Sequence, residues 1–94
     1  MVKSKKHREE CARVVAELRL LKEKHGCSDC KTKYPHYVLE FDHRPGEHKI
    51  DNVARVLKNY GTLMAWKEVA KCDIVCSNCH KVRTYDRANG LLAA

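Results

Sequence analysis

Two Cys-x-x-Cys turns, Cys27-Ser28-Asp29-Cys30 and Cys76-Ser77-Asn78-Cys79, constrain this chain more than any other feature. Each turn presents two thiolates to one ion, and zinc takes four such ligands in a tetrahedron. The 45 residues between the pairs exceed the gap of the common zinc ribbons. A tetrahedron is a demand on space, however, and a long intervening segment can loop out. The competing readings are a redox dithiol or two disulfides. The first residues, Met1 to Arg13, are charged and carry no secretory signal, and no apolar run approaches the roughly 20 residues of a membrane span. The expected compartment is therefore a reducing cytoplasm, where such cysteines serve metals more often than disulfides. Cys27, Cys30, Cys76 and Cys79 are expected to hold one structural Zn²⁺. Cys11 and Cys72 are left over as buried free thiols, and His25 stands beside the first pair as an alternative ligand.

A chain of 94 residues fits a single domain, 1–94, and buries too little apolar surface to be comfortable without a metal, a disulfide or a partner. Residues 1–8 read as a basic tail. Residues 9–25 carry Cys11, Val14, Val15, Leu18 and Leu21 at helical spacing and stop at Gly26. Residues 37–42 are rich in strand formers, and Arg44-Pro45-Gly46 breaks them at once. Two short helices follow, at 51–60 and 62–71, the second with Leu63, Trp66 and Val69 turned to the core. Residues 72–75 make a second strand, and a last helix starts near Ser77 and fades by Asn89-Gly90. The fold class is α+β and mainly helical. Lys and Arg outnumber Asp and Glu by 19 to 12, a net charge of +7. That excess favours a polyanion, nucleic acid ahead of a membrane surface, with plain solubility as the competing account.

Phe41-Asp42-His43 ends the first strand, and Cys79-His80 opens the last helix. If one ion clamps both cysteine pairs, these points lie together, and Asp42 and His80 can converge on a second divalent cation with His43 beside them. Asp42-His43, the flanking Cys-x-x-Cys pairs, His80 directly after the last cysteine and the closing Lys81-Val82-Arg83-Thr84 together resemble the HNH endonuclease superfamily. The likeness is to its small zinc-bearing members in phages and bacteria, and it covers residues 27–85. It implies a ββα-metal (His-Me finger) core, here with an N-terminal helix and a helical insertion between the two strands. It also implies a DNA endonuclease that nicks or cuts duplex and leaves 5′-phosphate and 3′-hydroxyl ends.

By the same resemblance His43 is the general base, and Asp42 and His80 hold a catalytic Mg²⁺ or Mn²⁺, with Zn²⁺ or another divalent ion as substitutes. Arg44, Lys81 and Arg83 are the candidates for gripping phosphates. Many relatives carry an asparagine that braces the loop of the general base. Here Lys71 stands nine residues before His80, so Asn78 is left either to brace or to cap the helix. Thr84 stands where some relatives have a further metal-binding histidine, and His48 or Glu47 would supply a missing ligand if they are not simply solvated. The implied partners are DNA and, beyond it, a second copy of the chain or a phage or host protein, in the cytoplasm of a bacterial host. The rival readings are a non-catalytic zinc module that binds DNA or a protein, and a thiol-disulfide redox protein.

Overall fold

The computed structural model describes residues 4–91. Helix α1 spans Lys5–His25. It starts earlier than the apolar spacing predicts because the Ser4 side chain accepts from the His7 amide, a cap that contributes about 1 kcal/mol. Residues 5–8 of the expected tail are therefore helical, and residues 1–3 lie outside the described residues. Val14 and Leu18 form its buried stripe. Gly26 ends the helix with φ 73°, and its amide donates to Lys22 O at 2.9 Å. A Cβ there would stand 2.9 Å from Thr32 O, so only glycine lets the chain turn directly from the helix into the first cysteine pair.

A 3-10 turn at His36–Val38 takes up the start of the expected first strand, leaving β1 at Leu39–His43. β1 pairs antiparallel with β2, Cys72–Cys76, from Leu39 opposite Cys76 to His43 opposite Cys72. Between the strands lie α2, Val53–Tyr60, and α3, Thr62–Val69. Asn52 caps α2 by accepting from the Arg55 amide at 2.9 Å. After β2 the chain turns straight into α4, Ser77–Ala88, with Cys76 as its cap. Among the described residues the molecule is thus an α+β chain of four α-helices and a two-stranded sheet, and no helix is long and apolar enough to cross a membrane.

Two small clusters make the core. Val14, Leu18, Val53, Leu57 and Ala65 join α1 to the inserted helices, with Trp66 and Val69 packed against them. Cys27, Leu39, Ile74, Val75 and Cys76 join the sheet to the cysteine pairs. The expected inward face of α3 is corrected here. Leu63 is 69% exposed, and the fully buried positions are Ala65 and Glu68. Cys11 and Cys72 are half-buried rather than buried.

Candidate metal centre and histidine sites

The first cysteine pair is shaped by backbone hydrogen bonds: Cys27 N donates to Thr32 O and Lys31 N to Cys27 O, with Lys31 at φ 63°. The second pair bridges the end of β2 and the first turn of α4. Ser28 N donates to Ile74 O at 2.8 Å, which docks the first turn against β2. The four sulfurs all lie within 4.8 Å of one another. A tetrahedron with metal–sulfur bonds of about 2.3 Å has edges of about 3.8 Å, so a metal such as zinc fits with a small contraction. Cys76 N donates to Cys27 Sγ and Cys79 N to Cys76 Sγ, the amide pattern that stabilises thiolate charge.

The surrounding groups shift the thiols in opposite directions. Hydrogen bonds from Thr32 bring Cys30 down to about 6. Burial works against ionising Cys27, but the amides around it win and lower it. Burial, then the neighbouring sulfurs, push Cys79 up to about 12. Four thiolates so close cannot all ionise without a compensating cation, and a metal supplies it. His25 is not part of the quartet; its Nδ1 donates to Gly26 O at 2.8 Å.

β1 presents its side chains alternately. Glu40 and Asp42 lie on the face that meets α4, while His43 meets Glu68 of α3. His80 links the first two: Nδ1 donates to Glu40 Oε1 at 2.6 Å, and Nε2 stands 3.4 Å from Asp42 Oδ1. Doubly protonated, His80 pairs with both carboxylates; protonated on Nδ1 alone, it turns a lone pair toward Asp42. Two acceptors facing each other need a proton or a cation between them. Among the described residues only the four cysteines form a metal-ligand cluster, and Asp42 and His80 stand outside it as a close pair.

Asp42 has a second set of partners. It is 5% exposed and receives a fork from Arg87, Nη1 to Oδ1 and Nη2 to Oδ2 at 2.9 Å each, and a further bond from Arg83 Nη1 to Oδ2 at 2.8 Å. Burial would raise its carboxyl, and these guanidinium groups outweigh burial and lower it. Arg83, expected on a phosphate, is instead held inside the protein: it also donates to both oxygens of Asp29, in the first cysteine turn, and to Asp73 of β2. Arg44, expected in the same role, donates to the carbonyls of Cys72 and Ala70 and pairs with Glu47 at 3.3 Å and Asp73 at 3.4 Å. Lys81 is exposed and lines a shallow hollow of about 380 Å³ with Glu40, Ser77, His80, Thr84 and Tyr85.

His43 is paired with a residue the sequence reading passed over. Its Nε2 lies 2.8 Å from Glu68 Oε2, and Glu68 is fully buried. Glu68 also accepts from Ile50 N at 3.0 Å and from Lys71 Nζ at 2.9 Å, and Lys71 donates in addition to His48 O at 2.7 Å. Burial alone would raise the Glu68 carboxyl; the three donors hold it down at about 2. The loop that follows His43 is thereby braced by Glu68 and Lys71. Asn78 is exposed in the first turn of α4, whose cap is Cys76, so neither expected role of Asn78 is seen. The Glu47 and His48 side chains are exposed, with Glu47 directed to Arg44.

The site therefore combines a cluster of four cysteines able to hold a metal such as zinc with two histidines, each hydrogen-bonded to a carboxylate. Compared with protein-family models, with curated proteins and with solved structures, the chain matches none.

Proposed function

We propose that this chain is a metal-dependent DNA endonuclease of the HNH type, with a ββα-metal core stapled by a structural zinc at Cys27, Cys30, Cys76 and Cys79. The observation that carries the reading is the approach of His80 Nε2 to Asp42 Oδ1, 3.4 Å apart between α4 and β1. The β1–β2–α4 order and the cysteine quartet across it support the reading, and so does the net charge of +7.

In this account Asp42 and His80 hold Mg²⁺ or Mn²⁺. Such an ion, when bound, stabilises the charge that builds on the phosphate and on the departing 3′ oxygen. Glu40 orients His80 through Nδ1, so that Nε2 faces the ion. His43 takes a proton from the attacking water. Lys81, exposed beside His80, meets a phosphate as a point charge. Arg83 keeps Oδ2 of Asp42 in place and ties it to the first cysteine turn, while the Arg87 fork is what an incoming cation displaces.

The second reading, a non-catalytic zinc module that binds DNA or protein, draws on that same fork: a carboxylate neutralised by two guanidinium groups is stable without a cation. Cleavage of supercoiled plasmid separates the two. The endonuclease nicks in Mg²⁺ or Mn²⁺, stops in EDTA, and loses activity in Asp42→Asn and His80→Ala. A binding module retains DNA in every variant and cuts in none.

A further inference from the structure

The hydrogen bonds around Glu68 fix more than the position of a loop. Each of its oxygens is met by a donor that holds no acceptor of its own: the Lys71 ammonium on Oε1, and the Ile50 amide on Oε2. Two converging donors, one of them an ammonium, favour the ionised form, and a carboxylate can only accept. The third contact, His43 Nε2 to Oε2 at 2.8 Å, then has one consistent assignment, with the proton on Nε2. The ring is largely enclosed, its side chain 11% exposed and that of Glu68 at 0%. Water competes little for the bond, and the buried carboxylate has no solvent to turn to.

We infer that Glu68 is the positioning residue of His43, holding the imidazole as its Nε2–H tautomer and leaving Nδ1 as the nitrogen that accepts the proton of the attacking water. The inference rests on the endonuclease reading for its chemical step and on the geometry alone for the tautomer. The hydrogen bond made by one ring nitrogen decides what the other can do. A rotated ring, or one protonated on Nδ1, would present a donor where an acceptor is needed. As its oxygen bonds to phosphorus the water loses a proton to Nδ1; the phosphorus–O3′ bond breaks and the departing 3′ oxygen takes a proton from solvent. The Nε2 proton stays shared with Glu68, whose carboxylate stabilises the imidazolium. Lys71 and Ile50 keep Glu68 from following the histidine.

Glutamine at position 68 keeps the shape but offers one acceptor oxygen to three donors. Zinc-loaded wild type and Glu68→Gln are compared by long-range nitrogen–proton correlation of the His43 ring and by plasmid nicking kinetics. The expected wild-type pattern is a protonated Nε2 and a bare Nδ1 in the neutral ring, and the variant shows a mixture of tautomers. Its kcat falls by about 10- to 100-fold, while KM for DNA and zinc content stay within threefold. A wild-type ring protonated on Nδ1 overturns the inference, and so does a variant with unchanged kcat. A wild type with the Nε2–H pattern that never nicks sinks the endonuclease reading and leaves the tautomer assignment standing.

Discussion

Glu68 is pulled two ways: burial disfavours its charge, while Lys71, His43 and the Ile50 amide favour it, and the donors win. A carboxyl depressed in the folded state contributes stability above its unfolded value, near 4.3, and loses that contribution as pH falls toward about 2. Urea melts of wild type and Glu68→Gln, at each pH from 7 down to the point where either protein releases its zinc, should therefore show wild type ahead at neutral pH, with the gap narrowing below about pH 5. A gap constant over that range would contradict the assignment. Arg87 makes a second prediction at this scale. Its fork covers both oxygens of Asp42, so Arg87→Met should tighten Mn²⁺ binding by roughly tenfold, the worth of one charge-assisted hydrogen bond. Calorimetric titration of the zinc-loaded protein reads it, and weaker binding in the variant would count against a cation at Asp42. Neither residue announced itself in the sequence. Nothing local marks a helical glutamate or arginine as inward; the rotation of α3 and the approach of α4 to β1 turn these two in.

The cysteine turns, both strands and the last helix were legible in advance because their signals are local: a spacing, a run of strand formers, a break at Arg44-Pro45-Gly46. Where signals depend on what packs against an element, the reading missed. The amphipathic pattern put Leu63 inside α3, yet the short helix docks on Val14, Leu18 and Leu57 through Ala65, and the next inward position is Glu68. The bracing of the loop after His43 falls to Lys71, the residue that stands where relatives of the proposed family carry asparagine. Lys71→Met should leave the sheet intact and loosen that loop, seen as faster hydrogen exchange at the Ile50 amide with unchanged protection in β2. Unchanged exchange at Ile50 would mean that Glu68 alone holds the loop.

Over the described residues the four cysteines join the turn after α1 to the end of β2 and the start of α4, beside two small apolar clusters that Phe41 bridges. The two clusters have five buried side chains each; Cys27 and Cys76 belong to the second, Cys79 packs against it and Cys30 is exposed. Metal ligation of this kind contributes about 10–16 kcal/mol in small zinc domains, comparable to the entire stability of most folds. Cys76→Ser should accordingly lose its metal and its cooperative thermal transition together; a variant that melts like wild type would refute the metal knot. A metal in the quartet would hold the strand end carrying Asp42 and His43 near the helix start carrying His80, tying stability and the proposed chemistry to one ion. The most direct test of that chemistry is supercoiled-plasmid nicking in Mg²⁺ or Mn²⁺ by wild type and His43→Ala, with zinc content and melting temperature matched. The account predicts nicked circles with ligatable 5′-phosphate ends from wild type, and at least about a 100-fold loss in the variant. Equal nicking by both proteins, or none by zinc-loaded wild type, would contradict it.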